Sequence, residues 1–282
     1  MSENDWSLVI KPQESLLHVD LGEIWRYRDL CVMMIRRDIV TMYKQTILGP
    51  LWFFIQPIMT TVMFMVVFGG IAKIPTDGIP QPLFYLAGTC LWQYFADCLN
   101  KTSATFTANA NVFGKVYFPR LVVPISNVTC NLIKFAIQFL LFALVYGYFA
   151  VTGANVHPTW AVVLFPVCIV LIASLALGFG VIFSAMTTKY RDLTFLLSFF
   201  VQLWMYATPV IYPLSTITNP KLKMLMMANP LTGVVEVFKY GLLGAGNFSW
   251  GMLGYSAGFA LALLAVGIVV FNRIQRSFID TV

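Results

Sequence analysis

Long apolar stretches follow one another along the sequence from residue 45 onwards. The stretches that no charged residue interrupts are 45–72, 78–96, 135–188, 193–220 and 240–272. A helix that crosses the roughly 30 Å hydrocarbon core of a bilayer needs about 20 predominantly apolar residues. The pattern therefore predicts an integral membrane protein.

Six membrane-spanning helices account for these stretches. The stretch 135–188 is too long for one helix, and turn-forming residues between Gly153 and Pro158 lie near its middle. We therefore predict an all-α integral membrane fold with spans near 50–72, 82–104, 121–150, 160–187, 193–213 and 250–271. Residues 1–49 then form a cytoplasmic N-terminal segment, and residues 50–282 form the transmembrane domain.

The N-terminal segment predicts an amphipathic helix that lies along the membrane surface. Asp20 followed by Glu23 has the form of a helix-capping box. Basic residues occupy one side of the helix that follows, and the opposite side is apolar: Ile24, Cys31, Ile35, Ile39 and Met42. A basic face opposite an apolar face is typical of interfacial helices. An amphipathic helix packed on a soluble domain is the alternative.

Two connections between the predicted spans are unusual. Residues 112–120 mix aromatic with basic side chains, which predicts a short helix beneath the membrane that offers this surface to a partner. An ordinary loop whose basic residues only set the topology is the alternative. Residues 213–249 are too apolar for a loop in free water, so we predict short re-entrant helices in the outer leaflet between spans 5 and 6.

The basic residues are distributed unequally between the two sides of the predicted membrane domain. The chain has 18 lysines and arginines against 12 aspartates and glutamates, a formal net charge of +6. Thirteen of the 18 lie in the terminal segments and in the 2–3 and 4–5 connections, and four lie in the opposite connections. The positive-inside rule then predicts that both termini are cytoplasmic. This distribution explains the charge without a nucleic-acid partner.

Residues that carry enzyme chemistry are sparse. The sequence has no phosphate-binding Gly-x-x-x-x-Gly-Lys-Ser/Thr loop. The two histidines stand apart, and the five cysteines include no Cys-x-x-Cys pair, so no metal site or disulfide framework is predicted. Asp97 and Lys134 fall inside predicted spans, where a charge is costly and often functional. Direct contact between them requires span 2 to continue below the membrane or the Lys134 side chain to reach toward the cytoplasmic side. A polar cavity or a different partner for each residue is the alternative.

Aromatic residues make up 15% of the chain. As a group, rings within the spans give sugar rings flat faces to slide across, and the candidates for lining such a channel are Phe53, Phe54, Trp92, Trp204 and Tyr206. Anchoring at the membrane interface is the alternative role for each ring.

Eight short motifs occur in a recognisable order. They are Ile35-Arg36-Arg37-Asp38, Tyr43-Lys44-Gln45-Thr46, Leu48-Gly49-Pro50-Leu51-Trp52, Gln56-Pro57, Phe118-Pro119-Arg120, Tyr190-Arg191-Asp192, Thr208-Pro209-Val210-Ile211-Tyr212-Pro213 and Asn229-Pro230-Leu231. The set resembles the permease subunits of ABC-2 type polysaccharide exporters, the family that moves O-antigen, capsular and teichoic-acid chains. The sequence departs from the family at Lys239, where an arginine is expected, and at Ala207-Thr208, where an aromatic-serine pair is expected.

The resemblance implies a channel-forming permease that is not itself an enzyme. It implies a homodimer joined to two ABC ATPase subunits that bind ATP and Mg²⁺, so that this chain carries no cofactor. The implied cargo is an undecaprenyl-linked polysaccharide, and the implied location is the bacterial cytoplasmic (inner) membrane, among its lipids and as a multi-pass protein.

The resemblance also implies roles for particular residues. Leu48 and Gly49 would form the loop at which lipid-linked substrate enters, and Asn229 and Pro230 would belong to the outer gate. The helix at 111–120 would dock in the ATPase, and its coupling residues would be Val112, Phe113, Lys115, Tyr117, Phe118 and Arg120.

Three other functions are weighed against this one. An ABC-2 exporter of drugs or other small lipophilic cargo shares the spans and the ATPase dependence, and is the main alternative. A membrane-embedded transferase or phosphatase would need clustered carboxylates or histidines at one membrane face, and the sequence shows no such cluster. A proton-coupled secondary transporter would transport without any ATPase.

Overall fold

The computed structural model describes residues 21–44, 48–116, 118–154, 156–190 and 192–279. Within these ranges the chain forms helices and no strand. The α-helices are α1 (Leu21–Arg26), α2 (Arg28–Tyr43), α3 (Trp52–Phe64), α4 (Gln81–Ser103), α5 (Thr105–Phe113), α6 (Val122–Val151), α7 (Phe165–Lys189), α8 (Leu193–Tyr206), α9 (Pro220–Met227), α10 (Pro230–Leu243) and α11 (Trp250–Ile279). The π-helical residues Met65–Ile71 continue α3, and short 3₁₀ segments occupy Gly49–Leu51, Trp160–Leu164 and Leu214–Thr216.

Four helical segments of the described chain are long and apolar enough to cross a membrane. They are Gly49–Ile71, Val122–Val151, Trp160–Lys189 and Trp250–Ile274. Their bounds agree closely with the predicted spans 1, 3, 4 and 6. The expectation of an all-helical, multi-pass membrane protein is therefore confirmed.

The helix at the fifth predicted span is shorter than expected. It ends at Tyr206 rather than near residue 213, because Pro209 has no backbone N–H and disfavours helical backbone at the residue before it. Residues 207–213 continue as turns. At 1.5 Å per residue the 14 residues of α8 reach only about 21 Å.

α4 is the central helix of the bundle. It contacts α3, α6, α7, α8 and α10, and Tyr85, Phe95 and Leu99 on it are fully buried. Because protein surrounds this helix, its polar residues can find partners inside the bundle. Its sequence can therefore be more polar than that of a helix that faces lipid.

α3 is the least embedded of the four long apolar helices. Only 11% of its most apolar stretch is buried, against 22–33% in the other three. Pro57 lies inside the helix, and the helix changes to π-helical geometry at Met65. Internal prolines and π-helical turns are the usual sites of helix bending. α3 therefore combines few contacts with two local irregularities.

The N-terminal helical segment is broken rather than continuous. Tyr27 separates α1 from α2 with a non-helical backbone conformation, and Asp20 lies outside the described residues. α2 packs against α6, and Met34 is buried there in a cluster with Phe106, Phe118 and Phe271. The amphipathic helix therefore belongs to the membrane domain, as its partner on the buried side is α6.

Glycine allows α4 and α7 to approach closely. A Cβ atom at Gly180 would lie 2.5 Å from Thr102 Cβ and 3.3 Å from the Leu99 carbonyl oxygen. In contrast, a Cβ atom at Gly147 on α6 would meet nothing within 4 Å.

We expect Gly180→Ala to destabilise the purified protein by about 1–3 kcal/mol, because α4 must move to relieve the overlap. Gly147→Ala is the matched control and should be neutral or stabilising by up to about 1 kcal/mol. Thermal unfolding in detergent, followed by tryptophan fluorescence, measures both changes. Equal unfolding temperatures for the two variants would contradict the close packing of α4 on α7.

Candidate functional site

The turn between α2 and α3 contains the residues that the resemblance assigns to substrate admission. Gly49 has φ +48°, a conformation that favours glycine, and the Leu51 N–H donates to the Leu48 carbonyl at 3.0 Å. The Leu48 side chain is 38% exposed. Residues 45–47 lie outside the described residues. The geometry explains the need for glycine, and the role in substrate admission stays a prediction.

The structure separates the five aromatic candidates for a channel lining. Phe53 and Phe54 on α3 are half-buried, and Tyr206 at the end of α8 is exposed. The Trp204 ring contacts Phe95 and Phe179 edge-on, with centroids 5.4 Å and 5.0 Å away.

Trp92 differs from the other four aromatic candidates. It is only 6% exposed and packs on Phe95 at a centroid distance of 5.4 Å. Trp92 is therefore a core residue of this conformation, and its role in lining a channel stays a prediction.

The expected coupling helix lies earlier in the chain than predicted. α5 covers Thr105–Phe113, whereas residues 114–116 and 118–121 are turns and irregular backbone. Gly114 favours the end of a helix, and Pro119 cannot sit in a helix interior. The expectation of a helix over 111–120 is therefore corrected to a helix that ends at Phe113. Tyr117 lies outside the described residues.

The aromatic residues of this connection point into the chain. Phe113 and Phe118 are 8% and 5% exposed, with their ring centroids 5.6 Å apart. The Arg120 guanidinium is also buried and lies 5.4 Å from the centre of the Phe113 ring. The expectation that both rings are offered directly to a partner is therefore wrong for this conformation.

The surface that remains open at this connection consists of smaller side chains. Val112 is 37% exposed and Val116 is 58% exposed, and Lys115 between them is also exposed. Phe113, Phe118 and Arg120 form the support for this surface. We call Val112, Lys115 and Val116 the coupling patch.

At the opposite end of the bundle, Asn229 joins two elements. Its side-chain oxygen accepts from the Leu231 N–H at 3.1 Å and caps α10, where Pro230 occupies the first helical turn as expected. Its side-chain amide donates to the Ala207 carbonyl at 3.0 Å and to Thr208 Oγ1 at 2.9 Å. The start of α10 is therefore fixed to the chain that follows α8.

Lys239 on α10 binds the same connection from the inside. It is 2% exposed, and its Nζ donates to the carbonyls of Pro209 and Val210 at 2.7 and 2.9 Å. Nζ also lies 3.7 Å from the centre of the Phe84 ring on α4.

Two carboxylates complete the connections at this end. Ser215 Oγ donates to the Asp77 carboxylate at 2.8 and 3.0 Å, which ties the 3₁₀ segment at 214–216 to the loop before α4. Glu236 is 2% exposed and accepts from the Asn247 N–H at 3.1 Å, and burial raises its pKa. Residues 207–216, which we call the outer connection, are thus held by Asn229, Lys239 and Asp77.

The sequence carries only a partial signal for this site. The motif predicts Asn229 and Pro230, whereas Lys239 stands out only as a departure from an expected arginine. In the structure Lys239 donates to backbone carbonyls of another element. A lysine in an apolar segment is the signal that could have pointed to such a role.

Comparison with known proteins identifies the family. The ABC-2 type transporter family matches residues 29–243, and the chain belongs to it. This match confirms the family resemblance that the ordered motifs indicated. The chain is thus a membrane permease component rather than an enzyme.

Three relatives carry the same description, O-antigen export system permease protein RfbA. The relative from Myxococcus xanthus is 30% identical over 222 residues, covering 77% of this chain and 81% of its own length. Two from Klebsiella pneumoniae are 28% and 27% identical over 259 and 260 residues, each covering 89% of this chain and 94% of the relative.

We expect Lys239→Met to loosen the outer connection. The change leaves two buried carbonyls without their donor, at a cost of about 1–3 kcal/mol for each. Thermal unfolding in detergent and proteolysis within residues 207–220 measure the effect. Lys221→Met, at an exposed position on α9, is the matched control. If the Lys239→Met protein has the unfolding temperature and the protease resistance of the wild type, the two Lys239 hydrogen bonds do not stabilise the outer connection.

Proposed function

We propose that this chain is the transmembrane subunit of an ABC exporter that carries undecaprenyl-linked, O-antigen-like polysaccharide across the bacterial inner membrane. The observation that carries the proposal is the similarity to three O-antigen export permeases over 81–94% of their lengths. Such coverage means that the likeness extends over the whole membrane domain rather than one motif.

ATP hydrolysis in this proposal takes place on a separate polypeptide. The family is that of ABC-2 type transporters, and the sequence has no phosphate-binding loop of its own. Two ATPase subunits would bind ATP and Mg²⁺ and act on the permease from the cytoplasm. The permease would supply the path and the moving helices.

Six crossings of the membrane fit the helices best. α4 is 23 residues long, about 34 Å at 1.5 Å per residue, and its burial in the bundle explains its polar residues. α8 with the outer connection would form the fifth crossing, and α9 and α10 would return into the outer leaflet. An even number of crossings places both termini on the side with most basic residues, the cytoplasm.

A homodimer would enclose the path. α3 and α8 leave large apolar side chains exposed, among them Trp52, Met59, Met63, Phe195, Phe199 and Leu203. In the proposed dimer part of these faces meets the second copy and part meets lipid. Movement of the ATPases against the coupling patch would tilt α3 away from its symmetry mate, since α3 is the least embedded long helix.

The proposed function is tested in the host of the protein. We expect deletion of the chain to leave lipid-linked polysaccharide inside the cell, and an ABC ATPase to copurify with the tagged chain. In vesicles, the reconstituted complex should move the polysaccharide only with ATP. Transport by the permease alone, or export of a lipophilic small molecule with no effect on polysaccharide, would contradict the proposal.

We expect Val116→Asp in the coupling patch to weaken ATPase binding while the permease still folds. An exposed charge there changes the contact surface without altering the core, and loss of one good contact corresponds to about 1–3 kcal/mol, or roughly five- to 150-fold. Copurification of the ATPase and ATP-dependent transport measure the effect.

Phe113→Asp and Lys221→Asp are the controls for the coupling patch. Phe113→Asp should unfold the cluster around Phe106 and reduce the amount of protein, because it buries a charge. Lys221→Asp introduces an aspartate at an exposed position on α9, outside the patch, and should leave ATPase binding intact. If the Val116→Asp protein binds the ATPase as tightly as the wild type does, the docking surface does not include the coupling patch.

A further inference from the structure

Two polar stripes face each other inside the otherwise apolar bundle. On α4, polar residues recur every four positions, and on α6 they are separated by four, three and four positions. The stripes are Thr89, Gln93, Asp97 and Lys101 on α4, and Asn127, Asn131, Lys134 and Gln138 on α6. Residues at this spacing share one face of a helix. We call the two facing stripes the polar seam.

The contacts along the seam show that α4 and α6 run antiparallel in register. Asn127 Nδ2 donates to the Lys101 carbonyl at 3.4 Å, Asn131 Nδ2 lies 3.7 Å from Cys98 Sγ, and Cys90 Sγ lies 3.6 Å from the Gln138 carbonyl oxygen. At the middle of the seam, Lys134 Nζ lies 3.4 Å from Asp97 Oδ2. The pairing that the sequence left open is therefore present.

The antiparallel arrangement explains how two residues at different depths meet. Side chains on a helix tilt toward its N-terminus. For α4 that direction is the opposite of the one for α6, so Asp97 and Lys134 lean toward each other. Gln93 Nε2 donates to Asp97 Oδ1 at 2.9 Å and fixes the second carboxylate oxygen.

α3 closes the third side of this arrangement. Lys134 Nζ lies 6.0 Å from the centre of the Phe53 ring. Next to the pair is a cavity of about 20 Å³, and its lining is formed by Gln56, Pro57, Thr60, Thr89, Gln93 and Gln138. This volume suits about one water molecule, which needs two to four polar partners.

Part of the contact of α3 with α4 and α6 is therefore polar. Side chains of Asp97 and Lys134 are 29% and 20% exposed, so the pair is not fully enclosed by the chain. Amides and hydroxyls that lose a protein partner can bind water instead, whereas separated apolar surfaces cannot. A polar contact surface therefore suits a helix that moves away from its neighbours and returns to them.

We propose that Asp97 and Lys134 are positioning residues for export, because their ion pair holds the polar seam in the form on which α3 rests between movements. This rests on the proposed function in one respect, the ATP-driven tilt of α3. Neutral residues at both positions would keep the bundle intact but leave Gln93 and the α3 contact without a fixed orientation. Exchanged charges would keep the ion pair, and the ion pair would preserve the polar surface on which α3 rests.

The test compares three forms of the ATPase-bound complex. They are the wild type, the exchanged pair Asp97→Lys with Lys134→Asp, and the neutral pair Asp97→Asn with Lys134→Gln. No form leaves a lone charge in the membrane, which is the change that would threaten folding. Lys221→Met at an exposed position on α9 serves as the surface control.

We expect the neutral pair to lose export without a loss of folded protein. The neutral pair should export at least about tenfold more slowly than the wild type, with unchanged abundance, ATPase copurification and basal ATP hydrolysis. The exchanged pair should recover export to within about threefold of the wild type. Equal export by the neutral and exchanged pairs, or losses that only follow a loss of protein, would overturn the proposal.

A second readout needs no cargo and so separates this inference from the choice of substrate. In a background with Cys31, the one native cysteine that is not buried, replaced by alanine, Thr60→Cys on α3 is labelled with a membrane-impermeant maleimide. ATP should speed labelling in the wild-type and exchanged pairs, and the neutral pair should label rapidly without ATP. Wild-type labelling that does not respond to ATP would contradict the ATP-driven tilt of α3, whereas a neutral pair that labels like the wild type with and without ATP would overturn the role of the seam, whatever the cargo.

Discussion

A bilayer interior offers no hydrogen-bond partners, so each polar group at that depth must find its partner in the protein. This constraint organises the structure around α4. Its buried position allows Gln93 and Asp97 to sit in the middle of an apolar bundle, because α6 and α3 supply the partners. The same requirement operates at the end of α8, where Pro209 interrupts the helix and Lys239 donates to the carbonyls of Pro209 and Val210.

The two ends of the bundle are built on different principles. At the end that holds α2 and α5, an aromatic cluster with Phe106, Phe113 and Phe118 packs on α11 and supports a small exposed patch. At the end that holds α10, specific hydrogen bonds from Asn229, Lys239 and Asp77 fix the outer connection. A packed apolar cluster transmits a push as a rigid body, whereas individual hydrogen bonds can be exchanged singly. In the proposed function, the first end receives force from the ATPase and the second end opens.

α3 stands apart from the other long helices. It has little buried surface, an internal proline, a π-helical end, and polar contacts with its neighbours. The other three long apolar helices are more deeply embedded. A permease needs one part of the wall to move and the rest to keep its shape, and the distribution of contacts in this chain provides both.

The sequence alone determined the membrane location, the position of the long apolar helices and the family. A span of about 20 apolar residues and an ordered set of motifs are both properties of the residue order, and neither depends on how the helices pack. The motifs also singled out Asn229, Pro230 and Gly49, whose functional roles stay predictions. Only the tertiary structure decided that Phe113 and Phe118 point inward, that Trp92 is a core residue, and that Lys134 reaches Asp97 and Lys239 reaches Pro209. Each of these depends on the distance and direction between separate helices. A residue pattern fixes which face of a helix is apolar, but the packing of neighbouring helices fixes what that face meets.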